Sequence, residues 1–353
     1  MIAPLDWGLG HATRCIPIIR ALLYNGYQVV VAAEGKQLFL LQQEFPHLLY
    51  LPLKGYQIRY SKKKYGLPFK MLAQVPKILA AIRYERNWLN KIIDEHDIDL
   101  VISDNRYGLH TPKIPSVFIT HQLTVKVPNK WLESMVQKIN YKFINRFSAC
   151  WVPDMEDEKN IAAILSHPLV MPKVPVHYIG LLSRFQQLGS NGYVYDYCIM
   201  LSGPEPQRTL LEENILKHIN SITGKILLVR GKPGSSETLA VPIHIDVQNH
   251  LPENQLQQAI EQSEYIVSRS GYTTVMELLS LQKKSILIPT PGQTEQEYLA
   301  EKLMQQGWCY ATSQNNFDAT TFAAAQKFNY ALPKFEQGRL YTLIPQLVEA
   351  LKK

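Results

Sequence analysis

Two short stretches bring together residue types that can move a proton or hold an anion. The first is Gly8-Leu9-Gly10-His11-Ala12-Thr13-Arg14, where a glycine turn runs into a helix. A helix N-terminus disfavours the charged imidazolium, so His11 there stays neutral and able to accept a proton near pH 7. A histidine that merely caps the helix would stand in the same place. The second stretch is Ser268-Arg269-Ser270-Gly271-Tyr272-Thr273-Thr274-Val275-Met276-Glu277. Residues 264–267 before it read as a buried strand, and Val275, Leu278, Leu279 and Leu281 repeat at helical spacing. The chain is expected to leave a strand, turn tightly at Gly271 and open a helix whose free N–H groups suit a phosphate. Glu277, one turn inside, could accept hydrogen bonds from a sugar diol; the helix dipole alone also favours a carboxylate there. Two further apolar runs end in Asp104-Asn105-Arg106 and Thr120-His121-Gln122. Ligands bind at such strand ends in open α/β sheets, which makes Asp104 and His121 candidates, a loop cap being the alternative for each.

The elements that must position these residues alternate strand and helix. Ile2-Ala3-Pro4-Leu5 is a strand, too short to exclude a natural start upstream of Met1. A helix with Ile16, Ile19, Leu22 and Leu23 follows and ends near Asn25-Gly26; residues 27–33 form the next strand. This βαβ unit with a glycine-rich first turn opens a doubly wound sheet. The Gly-x-Gly pair lacks the third glycine of a dinucleotide fingerprint, and Glu34 comes too soon to hold the ribose of NAD. Residues 99–104 and 116–120 are further strands, and Cys150-Trp151-Val152-Pro153-Asp154 is expected to be the last of this half. The segment around Val176 leads out. A second α/β series follows, with strands at 198–201, 225–231, 243–247, 264–267 and 285–289. The expected fold is α/β, two Rossmann-like doubly wound domains facing a central cleft. They span residues 1–179 and 180–334, and a C-terminal helix within 335–353 packs back toward the first. Helix openings after Ser202 and Ser268 would aim backbone donors at one ligand, as a diphosphate requires.

Hydrophobic content of 46% and charged content of 19% over 353 residues fit two folded domains. No apolar run approaches the ~18–20 residues that span a bilayer, and no signal-peptide pattern opens the chain, so a cytoplasmic protein is expected. The four cysteines are scattered and the ten histidines show no HxxxH or HExxH spacing, so no protein-bound metal is expected. Charge is uneven: residues 1–180 hold 22 Lys/Arg against 14 Asp/Glu, whereas residues 181–353 hold 15 against 16. Between Lys54 and Lys91 ten bases meet one acid, Glu85. This basic loop and helix could lie on an anionic membrane surface or hold a lipid-phosphate acceptor. An ordinary core helix with a solvated basic side fits equally, and no nucleic-acid motif accompanies the charge.

With both halves laid out, the chain resembles glycosyltransferase family 28, the MurG-type enzymes with the GT-B fold, most closely over residues 196–306. Ser268-Arg269-Ser270-Gly271, Thr274, Glu277, Pro289 and the run 293–300 are similar to that family's donor-nucleotide signature. The resemblance implies Glu277 on the ribose hydroxyls, Ser270, Gly271 and Thr273 near the diphosphate, and Gln296 or Glu295 near the donor sugar. Ser202-Gly203 with Arg208 resembles the phosphate-facing loop, although Pro204 and Pro206 replace residues that supply N–H groups. Asn249-His250-Leu251 corresponds to the segment that receives uracil. Gly8-Leu9-Gly10-His11 resembles the acceptor-domain loop, and Thr120-His121-Gln122 with Asn129-Lys130-Trp131-Leu132 a second acceptor-side segment. Gly10, Arg14, Asn105 and His121 are therefore expected at the acceptor. The family pattern is richer in glycine before its histidine. Gly10-His11-Ala12-Thr13-Arg14 is also similar to related transferases of other acceptors and to the UDP-sugar hydrolase of pseudaminic acid synthesis.

The resemblance implies an inverting, metal-independent transfer of an N-acetylhexosamine-type sugar from a UDP-sugar to an acceptor hydroxyl, lipid-linked or of a cell-envelope glycan. No cofactor is expected beyond the UDP-sugar co-substrate, and no nucleic-acid partner. His11 would be the general base, with Asp104 as rival or orienting partner. Helix N-termini and Arg208 or Arg269 would meet the departing diphosphate. A UDP-sugar hydrolase on the same fold and a non-catalytic nucleotide-sugar-binding protein are the alternatives. The protein is expected in the cytoplasm or peripherally on the inner face of its membrane.

Overall fold

The computed structural model describes residues 1–56, 67–127, 129–187, 189, 192–336 and 338–352. The chain divides into two compact units, Met1–Arg184 with Glu336–Lys353, and Phe185–Phe335. In the first unit the chain runs through β1 (Ile2–Pro4), α1 (Leu9–Tyr24), β2 (Val30–Ala33), α2 (Gly35–Glu44), β3 (Leu49–Pro52) and α3 (Leu67–Glu95). It continues through β4 (Val101–Asp104), β5 (Ser116–Ile119), α4 (Lys130–Ile144), β6 (Ala149–Val152) and β7 (Val176–Tyr178). The seven strands are all parallel in the order β3-β2-β1-β4-β5-β6-β7. Ile2, Ala3, Val31, Val101, Val117 and Phe118 are buried because helices cover both faces of such a sheet, which is why these strands read as unbroken apolar runs.

The chain builds outward from β1 to β3, then crosses back to place β4 on the other side of β1. That reversal is a topological switch point, where the two strand ends part and leave a crevice. Pro4, the last residue of β1, pairs with Asp104, the last of β4. The strand at Cys150 is not the last of the unit, contrary to expectation. β7 pairs beyond it, Val176 against Cys150, and the Cys150 N–H donates to the Pro175 carbonyl at 2.8 Å. Pro175 made this segment read as a connector, yet proline is tolerated beside an edge strand that needs no donor there. Of the expected basic stretch, Lys62, Lys63 and Lys64 lie outside the described residues.

The second unit runs β8 (Tyr195–Met200), α5 (Gln207–His218), β9 (Ile226–Val229), β10 (Ile245–Gln248), α6 (Glu253–Glu261) and β11 (Ser263–Ser268). Then come α7 (Tyr272–Ser280), β12 (Lys284–Leu287), α8 (Thr294–Gln305), β13 (Tyr310–Ala311) and α9 (Thr320–Lys327). Its sheet is again parallel, in the order β10-β9-β8-β11-β12-β13, with the switch point between β8 and β11. Tyr197, Ile199, Leu228, Val267 and Ile286 belong to its core. Ile243, expected in a strand, is fully exposed; Pro242 turns the chain there and its carbonyl accepts from the Ile245 N–H, so β10 starts two residues later.

The last helix, α10 (Leu340–Lys352), belongs to the first unit. It packs on α1, burying Ile344 and Val348, with Asn25 Nδ2 donating to the Tyr341 carbonyl and Tyr27 Oη to Glu349, both at 2.8 Å. Phe335 stays with the second unit, edge-on to Trp308.

Candidate functional site

At the first switch point the sequence brings four polar side chains together under the N-terminus of α1. Gly8 precedes the helix in an extended conformation and its N-cap makes no side-chain hydrogen bond. His11 and Arg14 lie one turn apart and so share a face. Asp104 is fully buried at the end of β4. Its Oδ2 lies 2.8 Å from His11 Nδ1, and its Oδ1 accepts from Arg14 Nε at 2.9 Å and also from Arg14 Nη2. Arg14 Nη1 stands 3.3 Å from His121 Nδ1, which reaches in from the loop after β5.

An ionised carboxylate only accepts, so His11 carries its proton on Nδ1 and keeps the lone pair of Nε2. Burial, and then the neighbouring Arg14 guanidinium, lower the His11 pKa below its ordinary 6.5, against the pull of Asp104. Burial alone would push the Asp104 carboxyl up, but Arg14 and His11 together outweigh it and hold it below its ordinary value. The site thus presents a neutral imidazole beside an ionised carboxylate, an arrangement that can take a proton from a hydroxyl. Asn105 follows with φ 54°, a left-handed conformation that asparagine tolerates better than most residues.

Of the residues expected at an acceptor, Gly10 sits in the first turn of α1 and Asn105 and His121 adjoin the cluster. Arg14, by contrast, is 2% exposed and its nitrogens face Asp104 and His121. One network was missed entirely. Arg106 donates to Glu85 at 2.7 Å, to the Pro4 carbonyl at 3.0 Å and to the Lys54 carbonyl at 2.6 Å. Glu85 also accepts from Tyr56 Oη at 2.8 Å and the Gly108 N–H at 2.9 Å. A Cβ on Gly108 would come within 2.3 Å of the Ile82 carbonyl, so only glycine lets α3 approach this closely. The available signal was Glu85 itself, the single acid among ten bases.

At the second switch point α7 opens directly after β11. Gly271 stands at its N-cap with φ −67°, an ordinary conformation, and a Cβ built there would meet nothing within 4 Å. The chain passes from Ser268 to Tyr272 within three residues, as expected, but without a left-handed residue; what glycine provides is open space beside the N-terminus of α7. Ser270 is fully buried and donates to the Gln296 carbonyl at 2.8 Å, fastening α8 to this turn. The Gln296 amide shapes the same loop, accepting from the Thr290 N–H at 2.9 Å and donating to Gln293 at 2.6 Å. Thr273 and Glu295 are partly exposed, and Glu277 is buried on α7.

The two arginines expected at a diphosphate are braces here. Arg269 donates from Nη1 to the carbonyls of Ile288 and Pro289, and from Nη2 to the Gln207 carbonyl and to Gln314 Oε1. All four terminal hydrogens are thereby used, and burial lowers its pKa to about 10. Arg208 is held by Glu205, Glu212, Thr209 and the Arg230 carbonyl. Before α5, Ser202 and Gly203 are exposed, and Gly203 has φ 106°, which glycine alone adopts readily. Beyond the ends of β9 and β10 lies a cavity of about 520 Å³, lined among others by Lys232, Ser235, Thr238, Gln248, Asn249 and His250. Asn249 is committed to its wall through Arg230 and the carbonyls of Ser235 and Glu237, whereas His250 is exposed and Leu251 half-buried.

Known proteins resemble this chain in sequence and in fold. Residues 208–328 match the family model for the glycosyltransferase family 28 C-terminal domain. An uncharacterized glycosyltransferase of Methanosarcina acetivorans is 21% identical over 323 residues, covering 85% of this chain and 82% of that protein. The UDP-N-acetylglucosamine--N-acetylmuramyl-(pentapeptide) pyrophosphoryl-undecaprenol N-acetylglucosamine transferase of Clostridium botulinum (strain Langeland) is 21% identical over 295 residues, 79% of this chain and 75% of its own length. Among solved structures, the glycosyltransferase SnogD from Streptomyces nogalater has a TM-score of 0.61 at 14% identity, covering 99% of this chain and 98% of its own. MurG of Acinetobacter baumannii has a TM-score of 0.56 at 13% identity, covering 100% and 98%.

Proposed function

For a chain whose residues 208–328 match the glycosyltransferase family 28 C-terminal domain and whose fold is GT-B, we propose an inverting transfer of a sugar from a UDP-sugar to an acceptor hydroxyl. The observation that carries this reading is the His11–Asp104 pair at one switch point, in a chain whose other switch point draws β11 and α7 from the matched family domain. His11 Nε2 takes the proton of the acceptor hydroxyl as its oxygen attacks the anomeric carbon. The bond from that carbon to the diphosphate oxygen breaks, and UDP leaves with the bonding electrons. A single displacement of this kind inverts the anomeric configuration.

In the second unit the N-terminus of α7, beside Ser270, Gly271 and Thr273, receives the diphosphate, with Ser202 and Gly203 as a second contact. Glu277 holds the ribose, His250 and Leu251 border the base, and Gln296 and Glu295 meet the sugar. Arg208 and Arg269 act by fixing the turns that carry those contacts. On the acceptor side, Gly10, Asn105 and His121 surround the base. The botulinum relative's name specifies an N-acetylglucosamine donor and an undecaprenyl-linked acceptor, which supports an N-acetylhexosamine donor and a lipid-linked or cell-envelope acceptor here. The basic helix α3 fits work at the inner face of a membrane. Fixed dipoles at helix ends carry the leaving-group charge, so turnover is expected to survive chelation with EDTA.

Calorimetry with UDP, UDP-N-acetylglucosamine, GDP and NAD tests the donor reading. Uridine-selective binding that is lost in Glu277→Ala supports it, and no binding of any nucleotide would sink it. His11→Ala should abolish transfer while leaving donor affinity intact. Sugar release at the same rate with and without acceptor would show a hydrolase instead.

A further inference from the structure

Arg14 remains unused by the mechanism above, yet it is the side chain most deeply involved with its base. It is 2% exposed and sits in the second turn of α1, its side chain reaching back toward the helix N-terminus. That is an unfavourable address for a cation, on grounds of both burial and the helix dipole. The contacts show what offsets the cost. Nε and Nη2 both grip Oδ1 of Asp104, which leaves Oδ2 for His11. The same Nη2 stands 2.8 Å from His11 Nδ1, while Nη1 reaches His121 Nδ1 at 3.3 Å.

We propose that Arg14 is the positioning residue of the proton-accepting pair, fixing the Asp104 carboxylate so that only Oδ2 meets His11 and cancelling its charge so that the imidazole is a restrained base. The inference rests on the reading of His11 as the base. In an isolated His–Asp pair the carboxylate stabilises the imidazolium without opposition, and the histidine holds its proton tightly. Here the guanidinium opposes that stabilisation at hydrogen-bonding distance. The charged and titratable groups facing His11 are Asp104 from β4, Arg14 from α1 and His121 from the loop after β5. Cys15, also on α1, is buried beside Asp104 and stays a neutral thiol. Counted with Arg14, the three groups are together neutral before the proton arrives and singly positive after it. Such a base works on a hydroxyl only while the sugar bond is breaking and does not stay protonated between turnovers.

An ordinary buried brace would behave differently. Its loss would weaken folding and leave the titration of His11 in place. The test is the ring titration of His11, read by carbon-13 labelling of histidine in the full chain, alongside the pH profile of kcat/KM. In wild type His11 should titrate below 6.5. Arg14→Gln removes the cation, so the His11 midpoint should rise and the acid limb of kcat/KM should move to higher pH with it. Arg14→Lys keeps the charge but loses the two-nitrogen grip. Its midpoint should stay near wild type while kcat falls about ten- to a hundredfold, with donor affinity unchanged. A folded Arg14→Gln protein with the wild-type midpoint overturns the proposal. If Arg14→Gln does not fold, Arg14→Lys decides, and wild-type kcat in that variant overturns it. Full turnover in His11→Ala would remove the base reading alone, and the ring titration would still decide whether Arg14 governs His11.

Discussion

Gly271 shows how a single residue separates folding from binding. Its φ of −67° suits any amino acid, and no atom stands within 4 Å of an added Cβ. Neither backbone strain nor packing accounts for glycine there. Under the proposed function, the reason is the approach of a ligand to the N-terminus of α7, which a methyl group would obstruct. Gly271→Ala is accordingly expected to fold as well as wild type, or to gain up to about 1 kcal/mol through the less flexible unfolded chain. The same variant should bind a UDP-sugar at least about tenfold more weakly, a loss of about 1.4 kcal/mol. Thermal denaturation and calorimetry on one preparation check both halves. A destabilised protein with unchanged affinity would mean that the space is filled by the protein itself.

At the scale of elements, the parallel sheets explain why both sites were readable. A strand, a glycine turn and a helix are contiguous in sequence, so Gly10-His11 and Ser270-Gly271 announced themselves before any partner was known. Asp104 was visible as a polar residue closing an apolar run. The roles of Arg14 and Arg269 were not, because the acceptors that claim them lie about 20 to 90 positions away in sequence. β7 escaped for another reason, its short half-buried edge and its proline carrying no strong pattern. The Glu85–Arg106 pair is likewise long-range, and it ties together Pro4 at the end of β1, Lys54 beyond β3 and the loop that follows Asp104. Glu85→Gln would leave the Arg106 cation facing an amide in the buried interior. The expected cost is about 3 kcal/mol, or a Tm lower by about 5–10 °C. Since the pair braces the Asp104 loop, kcat should fall while donor affinity, which the proposed function assigns to the other unit, stays put. Unchanged Tm and kcat would show that the network is dispensable.

At the scale of the whole molecule, the charge asymmetry asks for a partner. The first 180 residues hold an excess of eight positive charges and the remainder an excess of one negative. Among the described residues of α3, Lys77, Arg83, Arg86 and Lys91 are exposed, and Val75 and Leu79 are exposed beside them. No helix among the described residues is long and apolar enough to cross a membrane, so any association through α3 is at a surface. Basic side chains near an anionic leaflet contribute about 1 kcal/mol each, and the attraction fades within a Debye length of about 8–10 Å. Four such residues, with apolar neighbours to settle among the headgroups, are enough for measurable but reversible binding. Sedimentation with vesicles containing phosphatidylglycerol should therefore pull the protein down at low salt and release it at about 0.5 M salt. Vesicles of phosphatidylcholine alone should leave it in solution. Replacing Lys77, Arg83, Arg86 and Lys91 together by glutamine should abolish the binding without changing donor affinity. Binding that survives high salt and the fourfold substitution would place the membrane contact elsewhere on the molecule, and the charge of α3 would then be that of an ordinary solvated helix face.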